Sequence, residues 1–330
     1  MYAVFNNVHK KYFKNIHTKD FHINNIIFSL HYKITIIFLL IFCILITQKQ
    51  YFGDPIDCVV NDIDSKVMNL YCWILSTYTT SKDGKIKFYH KYYQWVALFL
   101  YFQIMMFYFP HYLWKILEGG KIKMLVSHLN NSIVDDTIKQ NRIKYLINYF
   151  TLNLHSQNIY VYKFFGCEIL NFVNVIGQIY LTNRFLGYKF LTYGTQVIAS
   201  STHMNELFPK VATCTLYKHG SSGSTEKIDS LCVLSLNIVN EKIFLFLYFW
   251  FIILAVCSVL GIIYRLATFV PIIRNTILVM KVHRRHRLSI KKISKKCKIG
   301  DWFFLYQLAK NMDSLIYEEF IQKLDLSLQR

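Results

Sequence analysis

Four apolar runs, each about 20 residues long and so able to cross a hydrocarbon core of about 30 Å, constrain this chain more than any other feature. They lie at roughly Phe28–Thr47, Trp95–Trp114, Tyr160–Leu181 and Ile243–Ile263. The 330 residues are 54% hydrophobic and 17% aromatic, and the apolar residues are clustered rather than spread. Clustering on this scale argues for lipid as the solvent and against buried helices of a soluble core. Lipid offers no hydrogen bonds, so each run is expected to be helical.

The charge pattern orients these helices. Lys and Arg number 38 against 19 Asp and Glu. The excess falls on both chain ends and on the middle loop, which places those segments in the cytoplasm and the other two loops outside. Because the charges flank apolar runs, and no zinc-finger spacing, Walker loop or RNA-binding motif occurs, nucleic acid is not an expected partner. No cleavable signal peptide is evident in the polar, basic residues 1–25. The expected fold is an all-α membrane protein with four transmembrane helices, a cytoplasmic helical domain and a small disulfide-stapled extracellular domain with short strands. Its order is a cytoplasmic N-terminal segment (1–27), helix 1 (28–47), extracellular loop 1 (48–94), helix 2 (95–114) and a cytoplasmic helical loop (115–159). Helix 3 (160–181), extracellular loop 2 (182–242), helix 4 (243–263) and a cytoplasmic C-terminal helical tail (264–330) complete it.

Within the spans, His31 and Lys33 are expected to snorkel to the headgroups. Tyr92, Tyr93 and Trp95 at one end of helix 2, and Tyr112 and Trp114 at the other, read as an aromatic belt. Pro110 removes a backbone donor, so a kink is expected there. Glu168, Asn171, Asn174 and Gln178 recur at helical spacing and share one face of helix 3. Such a face must point into a bundle or a water-filled cavity; it is either interhelical hydrogen-bond glue or pore lining.

The eight cysteines divide by location. Cys58, Cys72, Cys214 and Cys232 lie in the outer loops, where the compartment is oxidising; Cys43, Cys167 and Cys257 lie in apolar runs and Cys297 in a basic stretch. The Cys58–Cys72 spacing is too wide for a redox or zinc pair, and no metal site is expected. Four outer cysteines allow three pairings, which the spacing leaves open. In loop 2, Lys218–Ser224 reads as a turn, with Val211, Thr213 and Thr215 suiting strands. The Asn130–Ser132 sequon falls in the cytoplasmic loop, where no glycan is expected. Leu125, Leu129, Ile133 and Ile138, then Ile143, Leu146, Ile147 and Phe150, recur at helical spacing in that same loop. In the tail, Asp301 is placed to cap a helix with an apolar face of Leu305, Leu308, Met312, Leu315 and Ile316.

The run Tyr92, Tyr93, Gln94, Trp95, Val96 resembles the hallmark of the innexins, the invertebrate gap-junction proteins. Tyr51-Phe-Gly-Asp-Pro-Ile-Asp-Cys58 resembles their first extracellular loop, and Phe107–Trp114 the end of their second helix. The match continues through Cys167–Tyr180, Phe190–Gly194, Phe208–Cys214, Leu231–Lys242, Cys297–Trp302 and Leu305–Asn311. One departure is Ala97, where many innexins have proline. The chain is short for that family, and its wealth of Ile, Asn, Lys, Tyr and Phe is compatible with a viral member.

The resemblance implies a gap-junction channel subunit, multi-pass in the plasma membrane with both termini inside. It implies a ring of eight copies, alone or mixed with other innexins, docking on a hemichannel of the adjacent cell. It further implies the nested pairing Cys58–Cys232 and Cys72–Cys214. An undocked hemichannel and a tetraspan adhesion protein without a pore are the rival readings. An enzyme or transporter is disfavoured: no HExxH motif, nucleophile elbow or paired carboxylates stand out, and no cofactor is expected. Candidate docking residues are Asn61, Asp62 and Asp64 in loop 1 and His219 and Ser222 in loop 2. The basic cluster Arg284, Arg285, Arg287, Lys291 and Lys292 is expected near membrane lipid of the inner leaflet or in the cytoplasmic vestibule.

Overall fold

The structure is a computed structural model that describes residues 24–60, 63–80, 86–127, 129, 135–199, 207–219, 223–282 and 287–329. Four helices are long and apolar enough to cross a membrane: α1 (Ile26–Tyr51), α3 (Tyr92–Glu118), α6 (Asn158–Phe185) and α8 (Ser235–Thr268). Each runs past its apolar stretch, since helical hydrogen bonding does not stop where apolar side chains do. Shorter helices lie between and after them: α2 (Ser65–Leu75), α4 (Lys121–Val126), α5 (Asp136–Leu152), α7 (Phe190–Ala199), α9 (Pro271–Met280), α10 (Arg287–Lys296), α11 (Ile299–Asn311) and α12 (Ser314–Gln329). The strands are β1 (Asp57–Val59), β2 (Thr77–Thr80), β3 (Ile86–His90), β4 (Val211–His219) and β5 (Thr225–Val233).

The chain forms two compact units. The first comprises residues 29–110 and 170–259. Its strands form one sheet in the order β1-β5-β4-β2-β3, with every neighbouring pair antiparallel. The β4–β5 hairpin runs in register from Val211 opposite Val233 to His219 opposite Thr225. Strands from both cysteine-bearing loops therefore build one sheet. The helices of this unit pack through Leu39, Leu100, Phe107, Val175, Phe244 and Phe251, all buried. A Cβ at Gly194 would fall 2.0 Å from the Tyr248 ring, so only glycine lets α7 approach α8 this closely.

Two expectations for the spans are corrected in this unit. His31 does not snorkel: it is fully buried, and its Nε2 lies 2.8 Å from Ser258 Oγ. It sits in a π-helical segment, Leu30–Ile34. Tyr93 is likewise buried rather than part of a belt, whereas Trp95 is exposed. Burial wins in both cases because a partner for the polar atom is available inside the protein.

The second unit comprises residues 1–28, 111–169 and 260–330, described here from residue 24. Its centre is α11, which buries Ile299, Trp302, Phe303, Phe304, Leu305 and Leu308 on all sides. Trp302 Nε1 donates to the Arg274 carbonyl at 2.7 Å. Trp114, expected in a belt, is buried against Tyr160 and Phe164. Asp301 acts from inside the first turn of α11, not from its N-cap. Its carboxylate accepts from the Lys298 N–H at 3.0 Å, from the His155 N–H at 2.9 Å and pairs with His155 Nδ1 at 3.1 Å. The expected apolar face also divides: Met312 ends α11, while Leu315 belongs to α12 and is exposed. Asp313, which starts that next helix, accounts for the break. Lys139 and Lys323 both pair with Glu319, at 2.8 and 3.1 Å, which joins α5 to α12.

The glycine at 300 has a steric reason. A Cβ there would lie 2.4 Å from the backbone of Gln157 and Asn158, and the Gly300 N–H donates to Asn158 Oδ1 at 3.0 Å. Neither neighbour is a flexible side-chain end. Gly300→Ala should therefore cost about 2 kcal/mol or more through overpacking. A thermal unfolding series on the detergent-solubilised protein should show the variant melting well below Gly300→Gly controls such as the exposed Leu315→Ala; equal melting would show that the contact yields freely.

Candidate functional site

The site with the most constrained chemistry joins the two cysteine loops. Cys58 on β1 stands directly opposite Cys232 on β5, and the two are bonded. Cys72 on α2 is bonded to Cys214 on β4. The sulfurs of Cys58, Cys72 and Cys232 lie within 4.8 Å of one another, so the bridges are neighbours. Ile56, Met68, Ala212 and Leu234 pack around them in a small buried core. Asn69 Oδ1 accepts the Cys58 N–H at 2.8 Å. The bridges close sequence separations of 174 and 142 residues. In the chain-entropy account, loops of that length are each worth about 4–5 kcal/mol.

The aromatic run Tyr92–Val96 is the joint between this core and α3. Tyr92 Oη donates to the Leu207 carbonyl at 3.1 Å, and its ring meets Phe208. Tyr93 Oη donates to the Cys72 carbonyl at 3.4 Å, and its ring lies 4.8 Å from that of Trp73. Gln94 donates its amide to the carbonyls of Trp73 and Ile74 at the end of α2. Val96 is fully buried, and Trp95 points outward. Three successive side chains thus fix the helix start to both cysteine loops. The helix α2 itself was not expected from sequence. Its signals are the Asp64 side chain, which accepts the Lys66 N–H at 3.0 Å as an N-cap, and the four-residue step from Met68 to Cys72.

The polar face of α6 turns inward. Asn171, Asn174 and Gln178 are buried within the subunit, and Gln178 donates to Asn174 Oδ1 at 3.4 Å. One turn on, Thr182 Oγ1 receives Gln103 Nε2 of α3 at 3.0 Å. Such burial suits interhelical bonding. Glu168 is held by Arg265: Nε donates to Oε2 at 2.6 Å and Nη2 to Oε1 at 2.9 Å. The rings of Phe164, Phe165, Tyr264 and Phe303 surround the guanidinium, each within 5.7 Å of its carbon. Sequence reasoning counted Arg265 as a tail cation; it lies inside α8. The signal was Glu168 itself, since a carboxylate in an apolar run requires a partner.

The remaining candidates are less constrained. Asp64 is occupied as a cap. His219 is exposed at the end of β4. Asn61, Asp62 and Ser222, with Arg284 and Arg285, lie outside the described residues, as does the Asn130–Ser132 sequon. Arg287, Lys291 and Lys292 stand on the exposed face of α10, whose Ile290 and Ile293 are buried.

Two outcomes are expected of this geometry. Removing either partner of the Glu168–Arg265 pair strands a buried charge, at a cost of about 3–5 kcal/mol. Arg265→Leu and Glu168→Leu should each lower the melting temperature sharply, and the double variant should recover most of the loss; an additive double variant would contradict pairing. The second concerns His90, buried beside β2 with Nε2 3.3 Å from Thr79 Oγ1. Burial, then the Lys189 charge, lowers its pKa below the ordinary value. The folded state binds its proton less readily than the unfolded state. Stability is therefore fully present above the unfolded value of about 6.5 and falls as pH drops below it. His90→Gln should flatten the melting temperature between pH 6.5 and 5, which is about the window of histidine titration.

The comparisons with known proteins agree with this architecture. The innexin family model matches residues 24–327. The chain is 49% identical to innexin inx2 of Schistocerca americana, covering 93% of this chain and 94% of that protein. It is 47% identical to innexin inx2 of Drosophila melanogaster over 92% of this chain and 90% of that one. Innexin shaking-B of the same fly is 40% identical over 91% and 89%. With the bridged double loop, the anchored aromatic run and four membrane-crossing helices in place, the chain belongs to the innexin family of gap-junction channel proteins, multi-pass in the plasma membrane.

Proposed function

We propose that the chain is the subunit of an oligomeric channel, eight copies in a ring, that docks through its cysteine loops on a hemichannel of a neighbouring cell. The reading includes mixed rings with other innexins and a purely conductive, non-enzymatic role. One observation carries it: both outer loops are locked into a single sheet by two adjacent bridges. Docking two particles across an extracellular gap needs a surface that does not deform, and a doubly bridged sheet supplies one. The helix core of the same unit is filled by Leu39, Phe107, Phe244 and Phe251, so a wide pore belongs between copies rather than within one. The outer loops carry no Asn-x-Ser/Thr sequon, which leaves the sheet clear of bulk. The exposed cations Arg287, Lys291 and Lys292 suit contact with anionic lipid or a vestibule that attracts anions.

Paired cells expressing the chain should show junctional conductance and pass small dyes. His219→Asn creates the sequon Asn-Gly-Ser at the exposed end of β4. With glycosylation confirmed by mobility shift, junctional conductance should vanish while hemichannel current in single cells persists. Coupling that survives the glycan removes this hairpin from the docking face. Wild-type pairs that fail to couple, while single cells conduct, would favour an undocked hemichannel.

A further inference from the structure

A groove runs along the surface between α1 and α8 in the sheet-bearing unit. Its lower part, about 510 Å³, is lined by Phe38, Phe42, Leu45, Ile238, Ile243 and Phe246, with Lys242 at its edge. Its upper part, about 470 Å³, is lined by Leu45, Gln48, Lys49, Phe52 and Gly53. Leu45 and Val239 line both parts, so the groove is continuous. The rings of Phe38 and Phe42 meet Phe246 edge-on at 5.1 and 5.4 Å and close its floor.

The groove is polar at one end only. Phe38 to Lys49 spans eleven helical steps, about 16 Å at 1.5 Å each. That is half of a hydrocarbon core of about 30 Å, the depth of one leaflet. Lys49 and Lys242 both stand just beyond the apolar runs of their helices, at the level of the headgroups. Lys242 shares the buried Glu241 carboxylate with Lys210, at 2.9 and 3.4 Å. Two lysines on one carboxylate leave positive charge over, and Lys49 adds to it. At Gly53 a Cβ would lie 3.1 Å from Lys49 Cδ and from the Lys49 carbonyl oxygen, so the missing side chain lets the lysine stem lie flat along the groove.

We infer that this groove binds one phospholipid of the outer leaflet, its acyl chain along Phe38–Leu45 and its phosphate between Lys49 and Lys242. The inference is independent of the docking reading, since it concerns a subunit surface within the bilayer.

The test uses the full chain, purified and reconstituted in phosphatidylcholine nanodiscs with phosphatidylglycerol carrying a diazirine on its acyl chain. After illumination, peptide mass spectrometry should find label concentrated on residues 38–45 and 238–246, above the equally exposed Leu98, Tyr101 and Met105 of α3. Val239→Trp, which fills the waist of the groove, should abolish that excess while ring size by native mass spectrometry is unchanged. Lys49→Gln with Lys242→Gln should keep apolar labelling by a phosphatidylcholine probe but lower the phosphatidylglycerol preference about fivefold or more, at ~1 kcal/mol per lysine. If Val239→Trp fails to assemble, the lysine pair alone decides. Uniform label over all exposed faces, label unchanged in both variants, or cross-linking of residue 42 to a second copy in place of lipid would overturn the assignment.

Discussion

Hydrocarbon cannot accept or donate a hydrogen bond, and the arrangement of side chains in the four long helices follows from that. Every polar group placed in them has to find a partner inside the protein or reach an interface. Glu168 finds Arg265 in a bidentate pair ringed by aromatic faces. His31 finds Ser258, and Trp250 Nε1 reaches Thr35 Oγ1 at 2.9 Å. Gln103 finds Thr182. Each of these ties one helix to another at a set height. Register between helices is thereby specified by a few polar pairs, where apolar side chains alone would tolerate sliding.

Outside the bilayer the constraint changes. The outer loops bury little apolar area of their own, and a domain with so small a core needs covalent staples. The two bridges supply them, and their neighbouring sulfurs occupy the centre that a larger domain would fill with side chains. The aromatic run then transmits this rigidity. Tyr92, Tyr93 and Gln94 each spend their polar atom on a backbone carbonyl of a cysteine loop, so α3 starts at a fixed point on the sheet-bearing domain. A channel that docks by its outer face requires this kind of coupling between loop and helix.

The amino-acid order by itself determined the number of crossings, their orientation, the outer location of four cysteines and the two-strand turn around Lys218–Ser224. Those features depend on local quantities: run length, flanking charge, and the periodicity of two in Val211, Thr213 and Thr215. Family likeness added the nested pairing of the cysteines, which spacing had left open. Tertiary structure decided the rest. Whether His31 or Trp114 faces lipid depends on which residue lies across from it, and Ser258 and Phe164 are distant in sequence. Arg265 looked like one more cation of a basic tail; only the facing of α6 and α8 makes it the counter-charge of Glu168. Asp301 had the composition of a cap, but its carboxylate serves His155 as well as Lys298, a choice set by the approach of a loop 146 positions away. Local pattern fixes what a segment can become, because backbone propensity and solvent preference act within a few residues. Partner identity is settled only when remote segments meet, since that is where desolvation and sterics are resolved.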